Sequence, residues 1–130
     1  MHASANPRFF LVLPAAGTGL RMQQTLPKQY LEVLNAPVLQ HTLERIGSYP
    51  AFSAIYVAVA ANDPWFSALA AALPAGISAK LFVVTGGEER AQSVANALDA
   101  MQTRADPDDW VLVHDAVRPC VSREDIDLLV

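Results

Sequence analysis

A segment of small residues precedes two cations near the start of the chain. Residues 14–19 are Pro-Ala-Ala-Gly-Thr-Gly, and Arg21 and Lys28 follow them. Small side chains let backbone N–H groups approach an anion closely, and fixed cations stabilise the charge that grows in phosphoryl or nucleotidyl transfer. The pattern therefore predicts a polyphosphate site. The alternative is an ordinary turn at Gly17 and Gly19 with both cations solvated.

Two widespread phosphate-binding motifs do not fit this segment. The dinucleotide motif G-x-G-x-x-G fails because Met22 occupies the position of the third glycine. The P-loop motif fails because no glycine–lysine pair follows Gly17. The segment therefore supports neither a dinucleotide-binding fold nor a P-loop.

The composition narrows the classes of function. The chain has 130 residues, of which 52% are apolar and 17% charged, which is typical of one compact domain. Nine basic residues oppose thirteen acidic ones, and the net charge of −4 argues against a nucleic-acid partner. The single cysteine, Cys120, excludes an internal disulfide and predicts a cytoplasmic location. No unbroken apolar run reaches the about 20 residues that span a membrane.

Two kinds of apolar segment alternate along the chain. Short runs rich in β-branched and aromatic residues predict strands at residues 9–13, 54–59, 81–84 and 110–113. Apolar residues at helical spacing predict helices at residues 38–47, 65–73 and 91–101, and another from residue 122. Asp63 and Pro64 are the predicted cap and first-turn proline of the second helix. This order predicts an α/β fold with a mainly parallel sheet, strands buried on both sides and helices on both faces.

The sequence also predicts which side of the third helix is apolar and where the fourth helix begins. Five residues recur at helical spacing as the apolar stripe of the third helix, with Ser93 outside it: Ala91, Val94, Ala95, Leu98 and Met101. The fourth helix begins with the capping box Ser122-Arg123-Glu124-Asp125 and then exposes Ile126 and other apolar residues. Because no stop signal follows, we expect the natural chain to continue past residue 130. Residues 1–7 are expected to be flexible.

Three segments together resemble a known enzyme family. They are AAGTGLRM (15–22) with PKQY (27–30), GGEERAQSV (86–94) and VHDAVRP (113–119). The first segment is typical of sugar-nucleotide-type nucleotidyltransferases. All three resemble the 2-C-methyl-D-erythritol 4-phosphate cytidylyltransferases of the non-mevalonate isoprenoid pathway. Val117, where those enzymes often have alanine, is also similar to ribitol-5-phosphate cytidylyltransferases, which remain the alternative.

The resemblance implies a three-layer Rossmann-like nucleotidyltransferase fold with CTP at the strand ends. Five positions would hold the CTP phosphates through backbone amides: Ala15, Ala16, Gly17, Thr18 and Gly19. Arg21 and Lys28 would be the catalytic cations at the α-phosphorus. Four further residues would line the nucleotide: Gly86, Arg90, Ser93 and Ala116. Without the resemblance, Ser93 would be interpreted as a solvent-facing helix serine.

Asp115 and Arg118 would bind the acceptor, a polyol phosphate, although a structural ion pair at a loop is the alternative. The implied reaction transfers CMP from CTP to the acceptor and releases pyrophosphate. Mg²⁺ would be carried mainly by the CTP phosphates, without a dedicated protein cage. The resemblance also implies a homodimer and an inactive 130-residue fragment. A non-catalytic CTP-binding module is a further alternative.

Overall fold

Four parallel strands form a central sheet between two layers of helices. The computed structural model describes residues 7–16, 26–120, 122 and 124–126. The elements in chain order are β1 (Phe9–Ala15), a 3₁₀ turn (Lys28–Tyr30), β2 (Glu32–Val33), β3 (Ala36–Pro37), α1 (Val38–Gly47), β4 (Phe52–Val59), α2 (Phe66–Ala71), α3 (Ala75–Ser78), β5 (Leu81–Thr85), α4 (Arg90–Met101) and β6 (Trp110–Val113). The four predicted strands and their parallel pairing are confirmed.

The strand order β5-β4-β1-β6 gives the sheet a switch point at β1. The chain runs from β1 outward to β4 and β5, then crosses back to place β6 on the other side of β1. One face of the sheet packs apolar residues of α1, α2 and α3, and the other packs Ala97 and Met101 of α4. In such sheets the carboxyl ends of the strands at the switch point border the ligand crevice.

Only the two central strands are buried on both sides. Residues 10–13 of β1 and 54–59 of β4 are buried throughout. By contrast, Val83 in β5 is 51% exposed and Trp110 in β6 is 60% exposed. The prediction of burial on both sides is therefore wrong for β5 and β6, because they lie at the edges of the described sheet.

The first two predicted helices form, with one change. α1 begins directly after Pro37, as predicted. In α2, the Asp63 carboxylate accepts hydrogen bonds from the Trp65 and Phe66 backbone N–H groups, so the expected cap is present. The helix ends at Ala71, short of the predicted residue 73. Pro74 then starts the short helix α3, which the sequence patterns did not predict.

The apolar stripe predicted for α4 is wrong at three of its five positions, whereas Met101 is buried and Val94 is partly buried against the core, as predicted. Ala91, Ala95 and Leu98 are exposed, whereas Ser93, Ala97 and Met101 are buried. The helix is thus turned so that its small side chains face the sheet, where they allow close approach of the two layers.

The capping box before residue 126 is confirmed. The Asp125 N–H donates to Ser122 Oγ at 3.0 Å, and the Ser122 N–H donates to the Asp125 carboxylate at 3.3 Å. Ile126 is 2% exposed and belongs to the core beside α1, so the expectation that it is exposed is wrong. The expectations for residues 1–6 and 127–130 lie outside the described residues.

A two-residue hairpin turn, absent from the predictions, joins β2 to β3. Its tip is formed by Leu34 and Asn35, whose φ angles are 53° and 70°. Two successive residues with positive φ are typical of the tight turns that connect antiparallel strands. Asparagine accepts this conformation readily, but leucine does not.

Asp109 joins the amino ends of β1 and β6. Its carboxylate accepts hydrogen bonds from the backbone N–H groups of Arg8 at 2.8 Å and Asp106 at 2.7 Å, and its side chain is 1% exposed. These N–H groups, together with the Arg8 guanidinium, hold the pKa of the Asp109 carboxyl below its usual value. The charged carboxylate therefore stabilises the folded state.

This lowered pKa predicts a pH-dependent effect of Asp109→Asn. The stabilisation is complete above the unfolded pKa of about 3.9 and is lost as the pH falls through the folded pKa. The variant should thus be less stable than wild type near neutral pH, and the difference should shrink at about pH 3. Urea unfolding at both pH values measures it, with exposed Asp108→Asn as the control. A difference that is the same at both pH values would contradict this assignment.

Candidate functional site

Three chain segments meet at the carboxyl edge of the sheet. They are the end of β1 at Ala15 and Ala16, the Gly86-Gly87 turn after β5, and residues 114–118 after β6. β1 and β6 flank the switch point, where ligands of open α/β sheets bind. The predictions for four residues of the β1 loop lie outside the described residues: Gly17, Thr18, Gly19 and Arg21.

Gly86 lies between the end of β1 and α4. A Cβ atom at this position would lie 2.4 Å from Ala16 Cβ and 2.6 Å from Ser93 Oγ. The Gly86 N–H donates to the Val59 carbonyl at 2.8 Å and so extends the β4 pairing. A side chain at position 86 is excluded, which explains why glycine is required here.

Ser93 fastens α4 to the turn after β5. It is 2% exposed, and its Oγ accepts a hydrogen bond from the Gly87 N–H at 3.1 Å. The alternative of a solvent-facing serine is therefore wrong. Burial costs little because the hydroxyl is hydrogen-bonded, and the small side chain fits against Gly86.

Asp115 holds two guanidinium groups at the same edge. Its Oδ1 lies 3.0 Å from Arg90 Nη2, and its Oδ2 lies 3.1 Å from Arg118 Nε. The ion pair between Asp115 and Arg118, which was the alternative to an acceptor-binding role, is present, and Arg90 links it to the start of α4. The two arginines are largely exposed and Asp115 is partly exposed, so these pairs add little stability. The cluster instead presents two cations and one carboxylate, a net positive charge suited to phosphate groups.

The backbone of residues 114–118 is a tight turn. The His114 N–H continues the β1 pairing to the Val12 carbonyl, the Arg118 N–H donates to the Asp115 carbonyl, and the His114 ring bonds the Arg118 carbonyl at 2.8 Å. Ala116 is 6% exposed, and its carbonyl accepts a hydrogen bond from Thr42 Oγ1 at 2.8 Å. The turn thereby directs the side chains of Asp115 and Arg118 outward from a buried base.

The turn that carries Lys28 is anchored by its neighbours. Gln29 is 7% exposed, and its Nε2 donates to the Ala15 carbonyl at 2.8 Å. The Tyr30 hydroxyl donates to the Asp63 carboxylate, and burial together with that carboxylate raises the Tyr30 pKa. Lys28 itself is exposed. The anchors attach an exposed cation to the end of β1.

Gln29, Thr42 and Asp63 were not assigned to the site from sequence. Gln29 belongs to the PKQY segment (27–30), but the sequence patterns gave it no role in the site. Thr42 was the polar member of an otherwise apolar helix face in α1, a signal that it has a buried partner. Asp63 was interpreted only as a helix cap, although its carboxylate both caps α2 and accepts from Tyr30.

The described residues contain no cluster of three or more His, Cys, Asp or Glu side chains able to hold a metal ion. Over the same part of the chain, no helix has the length and apolar character needed to cross a bilayer.

Comparison with known proteins identifies the family. The sequence profile of the 2-C-methyl-D-erythritol 4-phosphate cytidylyltransferases (IspD) matches residues 9–130. The chain belongs to this family. A cytidylyltransferase of that name from Shewanella amazonensis is 48% identical over 128 residues, which are 98% of this chain and 51% of the relative.

Solved structures of the cytidylyltransferase family share the fold. The crystal structure of a 4-diphosphocytidyl-2C-methyl-D-erythritol synthase has a TM-score of 0.78 and 29% identity, and the match covers 95% of this chain and 53% of that chain. The enzyme from Francisella tularensis has a TM-score of 0.69 and 37% identity, with 92% and 49% covered. The resemblance and the α/β nucleotidyltransferase fold are thus confirmed. The chain spans about half the length of the curated relatives it matches.

Proposed function

We propose that the protein transfers CMP from CTP to 2-C-methyl-D-erythritol 4-phosphate, giving 4-diphosphocytidyl-2-C-methyl-D-erythritol and pyrophosphate. The observation that carries this proposal is the convergence of the described parts of the three family segments on one sheet edge, where Gly86 packs on Ala16 and Asp115 joins Arg90 to Arg118. Relatives 48% identical to the chain bear the name of this activity.

The proposed reaction is a direct displacement. A phosphate oxygen of the acceptor attacks the α-phosphorus of CTP, a new P–O bond forms, and the bond to the pyrophosphate oxygen breaks. The acceptor phosphate is already a competent nucleophile, so no covalent enzyme intermediate is required. The protein supplies position and positive charge, which is what phosphoryl-group chemistry demands.

Each described residue has a proposed role that fits its position. Backbone amides at Ala15 and Ala16 bind phosphate beside the switch point. Gly86 and Ser93, with Arg90 and Ala116, border the nucleoside. Lys28, like Arg21, stabilises negative charge at the α-phosphorus, and Asp115 with Arg118 binds the acceptor.

Magnesium fits this site as a partner of the nucleotide. Mg²⁺ typically keeps several waters and uses one or two carboxylates together with substrate phosphates. Asp115 is the carboxylate among the proposed site residues, and each of its oxygens already accepts a guanidinium hydrogen bond. The ion would therefore be held mainly by the CTP phosphates, with Asp115 beside it, and would neutralise phosphate charge.

The proposal also covers the cellular compartment and the partners of the protein. The free, exposed Cys120 and the absence of a second cysteine support a reducing cytoplasm. The net charge of −4 supports small-molecule partners rather than nucleic acid. A homodimer follows from the family resemblance. Membrane association is not expected.

Pyrophosphate release tests the proposed function. The full-length protein is incubated with CTP and Mg²⁺ and with 2-C-methyl-D-erythritol 4-phosphate, ribitol 5-phosphate or no acceptor. Release should require the methylerythritol acceptor, prefer CTP over ATP, GTP and UTP, and stop in excess chelator. Faster release with ribitol 5-phosphate would support the alternative enzyme. CTP binding without release for either acceptor would indicate a non-catalytic CTP-binding module.

A further inference from the structure

Three buried polar residues bond to backbone at the candidate site. They are Gln29, Thr42 and Ser93, at 7%, 0% and 2% exposure. Gln29 donates to the end of β1, and Ser93 accepts from the turn after β5. Thr42 donates to the turn after β6, yet neither the sequence motifs nor the proposed reaction gives it a role.

Thr42 occupies a place where an apolar residue would be expected. It lies on the face of α1 that packs on the sheet, beside Leu39 and Leu43, both 0% exposed. Burying a hydroxyl at such a position destabilises the fold unless the hydroxyl is hydrogen-bonded. Its Oγ1 lies 2.8 Å from the Ala116 carbonyl oxygen and 3.2 Å from that of Val38. A hydroxyl has one proton, and the shorter distance assigns it to Ala116.

The Ala116 carbonyl is the buried part of the turn at residues 114–118. Arg118 is largely exposed and Asp115 partly exposed, and their side-chain contacts run to each other and to Arg90. Exposed ion pairs hold their side chains weakly. The buried bond from Thr42 is therefore the stronger restraint on where the turn lies, because breaking it would leave a buried carbonyl without a donor among the described residues.

We propose that Thr42 is a positioning residue, which fixes the turn after β6 so that Asp115 and Arg118 face the acceptor phosphate. Thr42 touches neither substrate in this proposal and acts through the Ala116 backbone. The catalytic consequence rests on the proposed function. The structural consequence, a restrained turn at residues 114–118, does not.

Substitution of Thr42 tests both consequences. Thr42→Val keeps the shape and removes the hydroxyl, Thr42→Ala removes it without placing a methyl group against the carbonyl, and Thr42→Ser keeps it. Thr103→Val, in an exposed turn, is the matched control. The valine and alanine variants should exchange the amide hydrogens of residues 115–118 at least tenfold faster and raise KM for the acceptor about tenfold, with KM for CTP within twofold. The serine and control variants should match wild type.

The two readouts separate this proposal from the proposed function. Unchanged exchange at residues 115–118 in folded Thr42→Val or Thr42→Ala would overturn the positioning role. So would a Thr42→Ser variant that behaves like the valine variant. An acceptor KM unchanged despite faster exchange would overturn the catalytic consequence. Faster exchange in the variants, together with a wild-type protein that transfers CMP to no acceptor, would refute the proposed function while leaving the restraint intact.

Discussion

Gly86→Ala is expected to abolish or severely weaken CTP binding and to lower the free energy of unfolding by about 1–3 kcal/mol. The new Cβ would lie 2.4 Å from Ala16 Cβ, a distance that carbon atoms do not tolerate. Neither atom can swing away, because each is bonded directly to backbone. The end of β1 and the turn after β5 must separate, and with them the proposed phosphate and nucleoside contacts.

A second glycine supplies the control for Gly86→Ala. A Cβ at Gly76, in α3, would meet no atom within 4 Å. Gly76→Ala should therefore leave CTP binding unchanged and stabilise the protein by about 0.4–1 kcal/mol, because alanine has fewer unfolded conformations and a higher helix propensity. Calorimetric titration with CTP and urea unfolding measure both effects. CTP affinity within twofold of wild type for Gly86→Ala would show that this contact does not shape the site.

Lys28→Ala is expected to lower kcat by about 10²–10³-fold, the usual cost of removing one group that stabilises transition-state charge. The loss should fall on kcat more than on CTP affinity, because the charge at the α-phosphorus grows during the reaction. Stability should change by less than about 0.5 kcal/mol, since Lys28 is exposed. Arg21→Ala is expected to have a similar effect on kcat.

The control for Lys28→Ala removes a cation from the opposite edge of the sheet. Arg104 follows α4 and lies over the Phe82 ring, 4.1 Å from its centre. Arg104→Ala should leave kcat within about twofold of wild type. If kcat depended only on the net charge of the protein, both variants would lose activity to the same extent. Steady-state turnover decides between these outcomes. A kcat within threefold of wild type for Lys28→Ala would remove its catalytic assignment.

Local patterns predicted the elements well and their buried faces poorly. The strands at residues 81–84 and 110–113 were recognised from apolar runs, but their exposure depends on which strands flank them. That order is set by the crossover that brings β6 beside β1. In α4, alanines contribute too little to the apolar pattern to orient the helix, and in the observed orientation the small Ser93 side chain lies against Gly86.

Motifs named most of the candidate site residues, yet not the residues that support them. Gly86, Arg90, Asp115 and Arg118 lie in segments with a recognisable order of residue types. Thr42 bonds to Ala116, 74 positions away along the chain. No spacing rule links such a pair, because the contact arises from packing of α1 on the sheet. The sequence shows only a hydroxyl within an otherwise apolar helix face. This pattern predicts a buried hydrogen-bond donor but does not identify its acceptor.

The β2–β3 hairpin indicates how tolerant the protein is to change. Leu34, 85% exposed at its tip, has a φ of 53°, a conformation that costs a branched residue about 1–2 kcal/mol. None of the proposed site residues belongs to this hairpin. Asparagine or glycine at position 34 would remove this cost and raise the free energy of unfolding. Because natural proteins lie close to the stability threshold, a protein with this substitution would keep folded those site variants that would otherwise unfold.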